Sequence, residues 1–328
     1  MIDFRYHLVS AITWFLALAV GLFIGATALT GTAEQALSAA QHRALNQNGK
    51  LTKQNRELRQ EVAADEAFAQ ASAGRLLPGL LTGERVVLVT APGANGAVTS
   101  GLTNALRQAG ATVTGQVSLT ASFTATTGQN EASLSDLAQS LASAAGVSLT
   151  TPSTALAGQQ AAAQVLAASL VGGTSGLTST ESQAILNGLS RNGLITINSG
   201  GPVPPPAGLA ILIAPGTPQP QSTSAVLLAV AQELKAAGGG TVIAGPVSST
   251  ASNNVISAVN SAGNAVSTVD NADTESGQIM VVWALRLLLD GKSPRAYGLG
   301  SGLSPSPAPT PAVASAPKTT TSAPVKGH

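Results

Sequence analysis

A run of 23 uncharged residues, Leu8 to Thr30, stands near the start of the chain and constrains its folding more than any other feature. Folded as a helix, the run would be about 35 Å long, enough to cross a bilayer core of about 30 Å. Phe4 and Tyr6 precede it, where aromatic side chains are expected at a membrane surface. We therefore predict a transmembrane segment within residues 1–33, retained as a permanent anchor.

Two other interpretations of the run stay open. Ala26, Thr27 and Ala28 form an A-x-A-like cleavage site, and Arg5 places a positive charge ahead of the apolar stretch, as in a signal peptide. The apolar stretch is longer than the usual signal core, which favours an anchor. The run could also be a buried helix of a soluble core. Because long domains are translocated largely regardless of charge, an anchor would leave the amino terminus in the cytoplasm and the C-terminal domain outside.

A heptad-like pattern follows in residues 34–77, which contain no proline. Apolar residues recur every seven positions, and asparagines stand four positions after two of them, where they can set the register of a coiled coil. This stalk stripe consists of Leu37, Ala44, Leu51, Asn55 and Leu58. We predict a helical, coiled-coil-like stalk that forms a homo-oligomer through the stripe. The alternative is one amphipathic helix packed on its own domain.

Short β-branched runs alternate with helix-like stretches over residues 80–300, which predicts an α/β domain with a parallel sheet and helices on both faces. The predicted strands are RVVLVT before APG, Ala111–Leu119, Leu194–Asn198, Leu209–Ala214, Thr241–Gly245 and Ala265–Val269. The predicted helices are Ala97–Ala109, Glu131–Ala144, Ser179–Arg191, Ser222–Ala237, Asn253–Ala262 and Thr274–Gly291.

The last 28 residues, 301–328, contain six prolines among many Ser, Thr and Ala residues. A segment of this composition cannot bury enough apolar surface to form a core. We therefore predict a disordered tail.

A glycine-containing turn, TAPGANG, follows the first predicted strand and opens a helix, where phosphate loops also lie. The turn lacks the G-x-G-x-x-G pattern and a phosphate-binding lysine. A structural strand-to-helix turn is therefore favoured over a nucleotide site.

An acidic stretch, STVDNADTESGQ, lies between the last predicted strand and the last long helix. Asp270, Asn271, Asp273 and Glu275 could form a recognition loop, since ligands of open α/β sheets collect at the carboxyl ends of strands. The same residues suit simpler roles, because Asp273 or Thr274 can cap the helix and Glu275 can occupy its first turn. A Mg²⁺ or Ca²⁺ site is a third alternative.

The composition restricts the chemistry open to the chain. A net charge of +1 gives no electrostatic basis for binding nucleic acid. The chain has no cysteine, and its methionines are Met1 and Met280, so a copper(I) site of soft sulfur ligands is not visible. None of the three histidines falls within the α/β region, which leaves no triad. We predict a protein that is not an enzyme and holds no resident metal or cofactor.

Two stretches, MIDFRYHLVSAITWFLALAVGLFIG and STVDNADTESGQIMVVWALRLLLDGKSPRAYG, resemble the ends of the actinobacterial MctB family, named for mycobacterial copper transport protein B. The resemblance spans about residues 1–300. It implies a membrane segment, a coiled stalk and a Rossmann-like domain in the cell envelope, with a role in copper efflux or homeostasis as a transport or channel component. A related branch is associated with peptidoglycan hydrolases in cell division. The alternative function is therefore a non-enzymatic envelope scaffold that regulates such a cell-wall enzyme.

Overall fold

The computed structural model describes residues 4–150, 156–172, 176–198, 206–263 and 265–300, and in the first helix the side chains of residues 6–26 and from 40 onward. The chain divides into two compact units, Met1–Asp65 and Glu66–His328. The helices are α1 Phe4–Leu76, α2 Gly96–Gln108, α3 Ala121–Thr124, α4 Gly128–Ala145, α5 Ala157–Leu170, α6 Ser179–Arg191, α7 Gln221–Ala237, α8 Val255–Ser261 and α9 Glu275–Leu289. The strands are β1 Arg85–Thr90, β2 Thr112–Leu119, β3 Ile195–Ile197, β4 Leu209–Ile213, β5 Gly240–Ala244, β6 Ser267–Val269 and β7 Ala296–Tyr297.

Helix α1 runs without a break through the predicted anchor and the predicted stalk. The sequence has no proline before Pro78, so the backbone hydrogen bonds of the helix can continue to its end. The segment Tyr6–Ala26 has a mean hydropathy of 2.2 and is long and apolar enough to cross a membrane. Its side chains are not buried, which does not fit the alternative of a buried helix in a soluble core.

The second unit is built on a seven-stranded sheet with the order β3-β2-β1-β4-β5-β6-β7 among the described residues. The α/β class predicted from the alternating pattern is confirmed. The expectation of a wholly parallel sheet is wrong at one edge, because β3 pairs antiparallel with β2 while the other neighbouring pairs are parallel.

The direction of β3 follows from the long connection that precedes it. Between β2 and β3 the chain passes through α3, α4, α5 and α6 and returns to the end of the sheet at which β2 finishes. There Thr120, just after β2, donates its N–H to the carbonyl of Leu194 at 3.0 Å and its hydroxyl to that of Gly193 at 2.7 Å. A strand that enters the sheet at this end must run opposite to β2.

Side chains of the central strands alternate between two apolar clusters on opposite faces of the sheet. In β1, Val87 and Val89 belong to one cluster, which also contains residues of α4 to α8. Val86 and Leu88 belong to the other, which contains residues of α2, α9 and the end of α1. The predicted covering of both faces by helices is therefore confirmed.

Three elements were absent from the sequence-based prediction, and one of them is α3, a single turn of four residues. Helix α5 is rich in alanine and buried on nearly every side, so it lacks the amphipathic period that identifies a surface helix. Strand β7 has two residues, too few for a recognisable alternation. The predicted tail, residues 301–328, lies outside the described residues.

Candidate functional site at the carboxyl edge of the sheet

The loops that follow the parallel strands meet at the carboxyl edge of the sheet, where α/β proteins place their ligand sites. After β1, Gly93 adopts a positive φ of +79° that favours glycine. Asn95 then caps α2, because its side chain accepts the N–H of Ala97 at 2.9 Å. These contacts support the interpretation of TAPGANG as a structural turn.

Asp270 follows β6, and its side chain is fully buried. Its Oδ1 accepts the N–H of Leu299 and its Oδ2 that of Gly300, both at 2.8 Å. Gly298 lies so close that an added Cβ would overlap the carboxylate of Asp270. We call this arrangement the Asp270 tie, because it attaches the chain after β7 to the loop after β6.

The next residues form the start of α9. The hydroxyl of Thr274 accepts the N–H of Gly277 at 3.1 Å and donates to the carbonyl of Asn271 at 2.7 Å. Thr274, and not Asp273, is therefore the N-cap of the helix. Asn271 is buried, and its Oδ1 has no hydrogen-bond partner among the described residues. Gly277 lies against the carbonyl of Asn271, where a Cβ would not fit.

The other two acidic residues of the stretch are accessible to solvent. Asp273 is exposed and Glu275 is half-buried. The backbone N–H of Glu275 donates to Oε2 of Glu66, near the end of α1, at 2.7 Å. The predicted recognition loop therefore separates into a buried pair, Asp270 and Asn271, and an accessible pair, Asp273 and Glu275.

Sequence reasoning missed Glu66 and Gly298, although both contact the loop. Glu66 lies in a long helix among other charged residues, and its partner is more than half the chain away. Gly298 has a positive φ of +138°, which favours glycine, but nothing in the sequence distinguishes this glycine from the others.

The geometry gives no support to the Mg²⁺ or Ca²⁺ alternative. Within the part of the chain that the structure describes, no group of three or more His, Cys, Asp or Glu side chains could hold a metal ion. Both oxygens of Asp270 already accept backbone N–H groups. In strand β7, burial raises the pKa of the Tyr297 phenol above its ordinary value, partly offset by the charge of Arg295.

The stalk stripe is exposed along α1 wherever its side chains are described. Leu51 and Leu58 expose 55% and 58% of their surfaces, and Val62 further along exposes 57%. Asn55 turns its amide back onto the helix, donating to the carbonyl of Leu51 at 3.0 Å. The side chain of Leu37 lies outside the described residues. Such large apolar side chains in solvent make this surface a candidate for contact with a partner.

Comparison of the amino-acid sequence with known proteins identifies one family that matches nearly the whole chain. The family described as "Copper transport outer membrane protein, MctB" matches residues 1–307. The chain belongs to the MctB family. The resemblance seen at the two ends of the sequence is thereby confirmed, and the match extends slightly past the limit predicted at residue 300.

Curated MctB relatives cover nearly the same length. Copper transporter MctB of Mycobacterium tuberculosis is 28% identical over 312 residues, and that of Mycobacterium leprae is 31% identical over 315 residues. Each alignment covers 92% of this chain and 98% of the relative. The MctB match therefore includes α1 as well as the α/β unit.

Proposed function

We propose that this MctB-family protein is a membrane-anchored component of copper homeostasis in the cell envelope, acting in copper efflux. The observation that carries the proposal is the family match over residues 1–307, together with the apolar segment Tyr6–Ala26. We infer that the segment stays in the membrane, with the amino terminus in the cytoplasm and the α/β unit outside.

The residues favour a supporting role in transport over direct copper ligation. Copper(I) prefers thiolate and thioether ligands, whereas this chain has no Cys and has one Met after Met1, Met280. Met280 lies within α9 and is half-buried. We infer that copper moves through an assembly of which this chain is one part, with no dedicated copper site in its α/β unit.

Copper accumulation in a deletion strain tests the proposal. Three versions would be returned to the strain: the full chain, a chain whose residues 6–26 are replaced by an unrelated single-span helix, and residues 34–328 exported by a cleavable signal. We expect the first two to restore normal copper content and the third to fail, because anchoring is required. Rescue by the exported, unanchored version would contradict the anchored role, and unchanged copper content in the deletion strain would contradict the copper role.

The strand order supports the Rossmann-like assignment that the family resemblance implies. Strands β3-β2-β1-β4-β5-β6 follow the order of doubly wound dinucleotide-binding folds, and the order reverses between β1 and β4. The antiparallel β3 departs from that pattern.

The exposed stalk stripe supports pairing of two copies. We expect Leu51→Asp to abolish association, because pairing would bury an unpaired charge at the seam. Gln60→Asp is the matched control, since it adds the same charge on the opposite side of the helix from the stripe. Sedimentation of the full chain in detergent measures the outcome. Equal masses for wild type and Leu51→Asp would contradict pairing through the stalk stripe and favour the alternative of a single helix.

We also propose that the accessible pair Asp273 and Glu275 contacts a partner, while the buried pair maintains the fold. The proposal is supported by the accessibility of these side chains, because Asp273 is exposed and Glu275 is half-buried. Their loop is held in place by the hydrogen bonds of Asp270 and Thr274. A loop fixed in this way loses little conformational entropy on binding.

A further inference from the structure

Within the second unit, the last turns of α1 contact the α/β sheet domain through a narrow face of small side chains. Along residues 66–76, which we call the strap, Ala73 is buried and Glu66 and Ala69 are half-buried, while Phe68 exposes 75% of its surface. Glu66, Ala69, Ala73 and the following Leu77 are spaced by three and four residues, which places them on one side of the helix.

The apolar part of this contact is small. Within the strap, Ala69 and Ala73 each contribute one methyl group, and apolar stabilisation scales with the area buried. Leu77, which is fully buried in the cluster with α2 and α9, lies just beyond the strap and fixes the chain there. The end of the strap nearer the amino terminus therefore has little apolar attachment of its own.

Glu66 supplies the polar attachment at that end. Its Oε2 accepts the N–H of Glu275 at 2.7 Å, at the first residue of the 15-residue helix α9. A carboxylate at a helix N-terminus also interacts favourably with the helix dipole, and a hydrogen bond to a charged acceptor is stronger than a neutral one. The contact joins the strap directly to the loop that contains Asp273 and Glu275.

We propose that residues 66–76 form a strap that opens and closes on the N-terminus of α9, with the Glu66 carboxylate as its latch. When the latch releases, the strap separates from α9 as far as Leu77, and the amide of Glu275 loses its acceptor. Because Glu66 and Glu275 share this hydrogen bond, opening of the strap changes the start of α9 and the loop 270–275 that precedes it. The device goes beyond the copper role, since it makes the loop responsive to the position of the strap whatever the loop binds.

Amide hydrogen exchange of the full chain in detergent micelles tests the strap. In Glu66→Ala we expect exchange to rise roughly tenfold or more in residues 66–76 and 272–280, since the loss of a charge-assisted hydrogen bond favours local opening. Strand β4, Leu209–Ile213, lies in the centre of the sheet and should keep its wild-type exchange. Glu61→Ala, which removes an exposed carboxylate from the same helix, is the matched control and should change neither region.

Glu66→Gln separates the charge from the shape of the latch. Its amide oxygen can still accept the N–H of Glu275, so we expect exchange between that of wild type and that of Glu66→Ala. Wild-type exchange at residues 272–280 in Glu66→Ala would overturn the proposal. Equal acceleration in β4 would also overturn it, because Glu66 would then support the whole unit and not a local opening.

Discussion

Asp270→Asn is expected to lower the free energy of unfolding by about 3 kcal/mol, because it disrupts a buried, charge-assisted pair of hydrogen bonds. Both carboxylate oxygens of Asp270 accept backbone N–H groups, from Leu299 and Gly300. An asparagine offers one oxygen, and its NH₂ group would face the second N–H donor. Chemical denaturation of the full chain in detergent, followed by the signal of its Trp residues and by circular dichroism, measures the loss.

Asp273→Asn is the matched control for this substitution. It removes the same charge from the same loop, but at an exposed side chain, so its effect on stability should stay within about 0.5 kcal/mol. If Asp273 contacts a partner, Asp273→Asn should reduce rescue of the deletion strain although the protein stays folded. Equal stability of Asp270→Asn and wild type would contradict the Asp270 tie. Full rescue by Asp273→Asn and by Glu275→Gln would show that the charges of the accessible pair are not needed for contact with a partner.

Gly298→Ala should cost on the order of 3 kcal/mol or more, because it combines backbone strain with a steric clash. Gly298 has a φ of +138°, and a Cβ there would overlap the carboxylate of Asp270. The carboxylate is buried and bound to two amides, so it cannot move away without breaking the tie.

Gly291→Ala separates the cost of backbone strain from the cost of the steric clash. Gly291 also has a positive φ, +74°, but no heavy atom lies within 4 Å of the position of an added Cβ. We expect a loss of about 1 kcal/mol from backbone strain alone. Denaturation midpoints of the two variants give the comparison. Equal losses at both positions would mean that the clash with Asp270 is relieved by movement of the chain.

The fold was predictable where burial leaves a simple pattern in the sequence. Strands such as β1 and β4 are continuous β-branched or aliphatic runs because both of their faces are covered. Helix α6 begins at a capping box of Thr178 and Glu181, whose hydrogen bonds also lower the pKa of the Glu181 carboxyl. The direction of β3 was not predictable, since it depends on where a connection of four helices returns to the sheet.

The candidate site was predictable in position but not in the roles of its residues. The sequence predicted that the acidic stretch lies between a strand and the last long helix, and the structure places it between β6 and α9. Asp270 and Asp273 are alike in sequence, yet one is buried and the other exposed, because Leu299 and Gly300 reach the first of them from beyond β7. Contacts between residues so distant in sequence leave no local periodicity to detect.

The central pairing of the sheet also sets the order in which the chain can fold. One edge of β1 pairs with the nearby β2, but the other pairs with β4, with Val86 opposite Leu209, and must wait until the four-helix connection and β3 have been synthesised. Pairing over such a distance is slow, because the entropy of closing the loop is lost before the contacts form. Until β4 arrives, the apolar run Val86–Val89 has an unpaired edge. In the interval between the release of β1 and that of β4, this edge is therefore open to pairing with another chain.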